Sequence, residues 1–300
     1  MANIREIHDR MNSIRDTMKI TNAMYMISST KLRRARKKLE ETQEYFFTLQ
    51  DMMDHIMRNM AEAKSEYFDL RPEKEEAEHV RGIIVVTADK GLAGAYNHNV
   101  LKLTQEQVAQ HKNCKLFVVG DVGRHFFARR ETPIAEHFHY TAQNPSLHRA
   151  RIISEMVLEQ FRSGELDEVY IIYTGMKNSI SAEAYVRQLL PLARNEETSA
   201  GEDQKEPPVF QPNPEAVLKN IVPDCVMGYV YGALVESYCS EQNARMMAME
   251  AASKNAAVII HDLSIEYNRV RQNMITQEIT EVIAGLKSQK RKKNLNADKS

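Results

Sequence analysis

The stretch ALVESYCSEQNARMMAMEAASKNAAVIIHDLSIEYNRVRQNMITQEITEVIA, residues 233–284, contains neither glycine nor proline. A helix rising about 1.5 Å per residue would carry such a run over roughly 75 Å, longer than a compact domain needs. Ala244, Met247, Ala251, Val258, Ile265, Ile275, Ile279, Val282 and Leu286 share one face of that helix, interrupted by Lys254, His261, Asn268 and Gln272. Small side chains at Ala248, Ala251, Ala252, Ala256 and Ala257 would let a second helix approach closely.

The first 71 residues also lack glycine and proline. Here Ile4, Ile7, Met11, Ile14, Met18, Thr21, Tyr25, Ser28, Leu32, Ala35, Leu39, Thr42, Phe46, Leu49, Met53, Ile56 and Met60 alternate by three and four residues. That is the seam of a coiled coil. Around 20–27 the apolar residues leave the seam, with Ile20, Ala23, Met24, Met26 and Ile27 covering most of the circumference, so this segment is expected to be enclosed on several sides. Two long helices at the two ends must be covered by each other or by a partner.

Between them the texture changes to short β-branched runs, GIIVVT at 82–87, KLFVVG at 115–120 and EVYIIYTG at 168–175, each reading as a buried strand. Helical stretches at 97–110 and 148–163 separate them, which argues for a small doubly wound, mostly parallel sheet. The expected organisation is therefore an N-terminal helix over 1–71, a central Rossmann-like α/β domain over 80–222, a C-terminal helix over 233–286 and a basic polar tail over 287–300. The acidic, proline-rich segment NEETSAGEDQKEPPVFQPNP, 195–214, reads as an exposed excursion.

Composition excludes several functions. With 40 Lys and Arg against 41 Asp and Glu, the whole-molecule field does not attract polyanions, so nucleic acid is not the default partner. Three cysteines, Cys114, Cys225 and Cys239, form no CxxC pair; they suit a reducing compartment and read as small buried hydrophobes. No stretch reaches the 18 or so apolar residues of a membrane span, so direct membrane insertion is not expected.

TADKGLAGAYN, 87–97, stands where a Rossmann fold binds pyrophosphate, but Gly91 and Gly94 do not make GxGxxG, and the chain holds no P-loop. A structural turn is the better reading, and the same holds for VGDVGRHFF with Gly120 and Gly123. His125, His137 and His139 lack a completing carboxylate at ligand spacing, and no serine or cysteine sits in a GxSxG elbow. No catalytic residue, cofactor or metal site is expected. The cluster KLRRARKK, 31–38, sets Lys31, Arg34 and Lys38 at helical spacing with Arg33 and Lys37 beside them. It is either a solvated coiled-coil flank or a row of cations facing acidic loops of a partner protein. The residues alone also leave open a stand-alone nucleotide-binding enzyme dimerised by its helices, and a nucleic-acid adaptor working through that cluster.

Five motifs together resemble the gamma-subunit family of the F-type ATP synthases, the central rotor shaft. They are ITNAMYMISSTKLRRA at 20–35, TADKGLAGAYN at 87–97, YTGMKNSIS at 173–181, GALVESYCSEQNARMMAMEAASKNA at 232–256 and EYNRVRQNMITQEITEVIAG at 266–285. The resemblance covers nearly the whole chain. It implies an antiparallel coiled coil of the terminal helices inside a hexamer of alternating alpha and beta subunits, with the α/β domain below, against the membrane rotor ring of c subunits and the epsilon subunit. It further implies a peripheral, non-catalytic subunit on the cytoplasmic face of the cell membrane, without a cofactor.

Carried over position by position, the resemblance implies that Met24 packs near beta-subunit lever loops, and that Arg33 and Arg34, with Lys31 in the same cluster, face acidic beta-subunit residues. Arg245 matches a family arginine on the opposing helix, and Gln277 and Thr280 match positions that meet the beta-subunit catch loops. Two departures stand out. The family commonly ends after a GG or SG turn with a few small apolar residues, whereas here LKSQKRKKNLNADKS follows Gly285. The redox cysteine pair of chloroplast members is missing and no transit peptide is present, which implies a bacterial form.

Overall fold

The computed structural model describes residues 4–59, 66–68, 74, 78–111, 113–130, 132–177, 181–192 and 213–297. The elements in chain order are α1 (Ile4–Asn59), β1 (Arg81–Val86), α2 (Tyr96–Gln110), β2 (Cys114–Val119), α3 (Asp121–Ala128), α4 (Leu147–Arg162), β3 (Glu168–Met176), β4 (Ala182–Leu190) and α5 (Pro214–Ala297). They form two compact units, one made of Met1–Tyr25 with Met249–Ser300 and the other of Met26–Ala248.

In the first unit the start of α1 meets the distal part of α5. Ile7, Met11 and Leu263 are buried together, with Ile14, Tyr267 and Val270 packed against them. Further along α1, the hydroxyls of Thr21 and Ser253 lie 2.7 Å apart, and Ser253 donates to Asn22 Oδ1 at 2.9 Å. Numbers rise along one helix as they fall along the other, so the pair is antiparallel. Every seam residue of α1 from Ile4 to Leu39 is buried or half-buried, as the three-and-four spacing predicts. The remaining seam positions, 42 to 60, lie outside the residues whose side chains are described.

The face of α5 that turns inward differs from the stripe read in the sequence. Met249, Ala256 and Leu263 are buried, whereas Met247, Val258 and Ile265 of that stripe are exposed. Apolar residues occur on both sides of this helix, and only the side rich in small residues is close enough to α1 to be covered. Ala256 is buried and Ala252 half-buried, while Ala251 and Ala257 stay exposed.

The second unit is built on a four-stranded sheet in the order β2-β1-β3-β4. β1 runs parallel to β2 and β3, while β4 pairs antiparallel with β3. All six residues of β1 are buried, because both sheet faces are covered. Ile84, Val86, Phe117 and Ile171 pack with α4 and the first part of α5. Ile83, Val85, Leu116 and Ile172 pack with α2 and α3. The outer edge of β2 is closed by the chain at 133–140, with Leu116 N–H donating to Pro133 O at 3.0 Å and Gly120 N–H to Tyr140 O at 2.9 Å. This is a doubly wound sheet carrying one antiparallel edge strand.

Three expectations of extent are corrected. The described part of α1 runs to Asn59, and residues 66–68 form a separate 3-10 turn around the buried Tyr67, so the helix does not run unbroken to 71. α5 starts at Pro214, well before 233, and runs through Pro223, Gly228 and Gly232. Helix propensity opposes this, but Leu218, Val222, Cys225, Val226, Val230 and Leu234 are all buried against the sheet, and that packing decides. At its other end α5 continues to Ala297, past the expected limit at 286, so 287–297 of the basic polar tail belongs to the helix. The excursion at 195–212 lies outside the described residues. All three cysteines are buried, and burial pushes the Cys239 thiol up to about 11.

Candidate partner interface

Beyond Val270 the helix α5 runs out of company. Each residue from 271 to 288 is exposed, whereas the first buried residues of α1, Ile7 and Met11, meet α5 at Leu263. Yet this stretch carries Met274, Ile275, Ile279, Val282, Ile283 and Leu286, with Val282 62% exposed. Positions 275, 279, 282 and 286 repeat by four, three and four, a coiled-coil seam facing no other segment among the described residues. A contiguous apolar surface of this kind marks an interaction site. Gln277 and Thr280 lie on the same helix with only local bonds: Gln277 Nε2 donates to Glu281 Oε1 at 3.0 Å and Thr280 Oγ1 to Thr276 O at 2.8 Å.

The apolar belt on α1 is open as well. Ile20, Met26 and Ile27 are 61%, 64% and 55% exposed, and Met24 is half-buried. The expected enclosure on several sides is absent within the described residues of this chain; only the seam side is covered.

One turn further, Leu32 and Ala35 point into the core while Arg33, Arg34 and Lys37 face out. Lys37 approaches Glu41 at 3.8 Å, an exposed pair of little energetic weight. Lys31 is half-buried, and its Nζ donates to Gln143 Oε1 at 3.4 Å. The cluster therefore presents a row of cations outward from a helix whose inner face is fixed.

Arg245 lies elsewhere. It is buried, its Nη1 2.6 Å from Glu241 Oε1, and its Nη2 donates to the carbonyls of Lys90 at 3.2 Å and Gly91 at 3.0 Å. The loop it holds is TADKGLAGAYN. Asp89 anchors that loop from its other side, Oδ1 accepting from the amides of Asp121 (3.3 Å) and Ala142 (3.1 Å), and Oδ2 from the Thr141 hydroxyl. Asn97 Oδ1 accepts from Ala88 N–H at 2.9 Å, and Ala88, Ala93 and Tyr96 pack against Ala244. The end of β3 joins the same knot: Thr174 N–H donates to Ser237 Oγ at 3.0 Å, and Ser240 Oγ donates to Thr174 O at 3.2 Å.

Three of the motifs singled out in the sequence, 87–97, 173–181 and 232–256, thus converge on one buried polar cluster. A phosphate site needs the loop to offer N–H groups; here two of its carbonyls are turned to a guanidinium instead. Burial raises the Glu241 carboxyl above the ordinary range against the opposing pull of Arg245, and burial with the nearby Glu241 charge raises the Tyr96 phenol. Glu241 was not singled out in the sequence, although an i, i+4 Glu–Arg pair in SEQNAR is its signal.

The family model described as ATP synthase matches residues 3–288. Among curated proteins, the ATP synthase gamma chain of Ruminiclostridium cellulolyticum is 42% identical over 290 residues, covering 94% of this chain and 97% of that one. The sodium-ion-specific ATP synthase gamma chain of Acetobacterium woodii is 38% identical over 299 residues, covering 94% and 97%. Among solved structures, a chain of the Euglena gracilis mitochondrial ATP synthase, in its OSCP, F1 and c-ring assembly, has the same fold, with a TM-score of 0.67 at 20% identity over 95% of this chain and 94% of that one.

Proposed function

The chain belongs to the ATP synthase gamma-chain family, and we propose that it works as the rotating central shaft that couples transmembrane ion flow to ATP synthesis or hydrolysis on beta subunits. It is a non-catalytic subunit. The observation that carries the shaft reading is the distal part of α5, a helix with an apolar seam at Ile275, Ile279, Val282 and Leu286 that no other segment among the described residues covers. A surrounding ring of alpha and beta subunits is the cover this reading assigns.

A single rod inside a ring of three similar beta subunits touches each differently, so the three nucleotide sites are biased toward different conformations, and turning the rod exchanges those biases. In this reading Met24 with the belt at 20–27, and Gln277 and Thr280 on the distal helix, form the bearing, while Lys31, Arg33 and Arg34 face acidic beta-subunit loops. Methionine contacts suit a bearing because the flexible, polarizable side chain adapts to changing partners. The two long helices, α1 and the part of α5 beyond the sheet, act as the shaft. The 80–222 domain faces the epsilon subunit and the c ring at the cytoplasmic face of the membrane, and 287–300 is a basic extension. Among the described residues no helix is long and apolar enough to cross a membrane, consistent with peripheral attachment.

Mixing the purified chain with alpha and beta subunits tests this reading. The expected result is a complex that co-purifies and hydrolyses ATP faster than the alpha and beta subunits alone. Failure to co-purify would contradict it.

A further inference from the structure

Arg245 carries more contacts than a residue waiting for another protein needs. Glu241 is wholly buried, one of its carboxylate oxygens receives Arg245 Nη1, and the other has no hydrogen-bond partner among the described residues. The guanidinium is the strongest counter-charge that carboxylate has, and the carboxylate in turn fixes which way the guanidinium fork points. The second arm of the fork reaches two successive carbonyls, of Lys90 and Gly91. The next residue, Leu92, has φ of +63° and is exposed. A leucine holds that left-handed backbone only where its surroundings impose it.

We infer that Arg245 is a positioning residue, a clamp that Glu241 aims from α5 onto the carbonyls of Lys90 and Gly91, fixing the 87–97 loop of the sheet to the shaft helix. The loop is then held at three places: Asp89 on the sheet side, Arg245 beneath its tip, and Ala93 with Tyr96 against Ala244. Its role in coupling rests on the shaft reading: torque borne by the loop reaches α5 through this clamp, and Arg245 acts through the loop rather than by touching another subunit. The clamp itself does not depend on that reading.

The test uses three variants of the full chain: Arg245→Ala, Glu241→Gln, and the exchange Glu241→Arg with Arg245→Glu. The exchange keeps an ion pair on α5 but moves the guanidinium one helical turn away from the loop carbonyls. Glu241→Gln keeps the arginine and loosens its aim. Hydrogen exchange at the amides of 90–95 is expected to accelerate on the order of tenfold or more in all three, with β1 and α4 unchanged. In the assembled enzyme the ions moved per ATP hydrolysed are expected to fall in all three. Unchanged exchange at 90–95 in the charge-exchanged variant overturns the clamp. Full coupling with Glu241→Gln beside lost coupling with Arg245→Ala overturns it in favour of a direct contact with another subunit. A wild-type chain that supports no coupling would instead overturn the shaft reading, and the exchange rates of the isolated chain would still decide the clamp.

Discussion

The same helix lives in two different worlds. From Leu218 to Arg245, α5 is packed into the sheet, with residues 237–243 buried even though five of the seven are polar or charged. From 271 to 288 it is exposed on every side, although Met274, Ile275, Ile279, Val282, Ile283 and Leu286 are apolar. Hydrophobicity therefore does not decide what this helix buries. The proximal part buries polar groups where partners are at hand, Ser237 and Ser240 bonding Thr174 of β3 and Glu241 pairing with Arg245, whereas the distal part leaves apolar groups exposed because no other segment among the described residues covers them.

The sharpest way to break that comparison is to delete volume at the gripping end. Leu234→Ala, at a buried position against the sheet, is expected to cost about 2–5 kcal/mol of stability, read by denaturant melting of the isolated chain. The same chemistry at the far end, Ile279→Ala with Val282→Ala, is expected to leave that melt within about 0.5 kcal/mol, since neither side chain is covered. It should instead weaken binding to alpha and beta subunits. A melt shifted as far as Leu234→Ala shifts it would mean the distal helix is packed in the free chain.

Smaller in effect is the basic row. Replacing Arg33, Arg34, Lys37 and Lys38 with alanine should leave the isolated subunit folded and lower the coupling of the assembled enzyme; unchanged coupling would remove the electrostatic role. Smallest is the pH dependence of the gripping end. Burial holds Glu236 above its ordinary value of 4.5, with Arg187 opposing. A carboxyl with a raised folded pKa contributes stability that is fully present below the unfolded value and is lost as pH rises through the folded one. Glu236→Gln should therefore flatten the fall in stability as pH rises above about 4.5, and an unaltered slope would place the titration elsewhere.

How far the sequence foretold this follows from where its signals are local. The seam from Ile4 to Leu39 was legible because three-and-four spacing leaves one inward solution. The three parallel strands were legible because both sheet faces are buried and the runs are unbroken. β4 was not, since Glu183, Tyr185 and Arg187 face out and its pattern, AEAYVRQLL, is half polar. The start of α5 was hidden by Pro223, Gly228 and Gly232, residues whose cost is met by packing no local rule can see. The inward face of α5 was misjudged because a helix with apolar residues on two sides needs two partners, and sequence does not say which partner lies in its own chain. Arg245 was singled out, but its inward position depends on a loop about 150 residues away.

The central claim is that residues 271–288 are an interface awaiting a surrounding ring, and amide hydrogen exchange tests it most directly. A single helix without tertiary contacts is marginal in water, so these amides should exchange rapidly in the isolated chain. In complex with alpha and beta subunits they should slow on the order of tenfold or more, while those of β1 stay protected in both. Equal exchange at 271–288 in the free and assembled states would contradict the account.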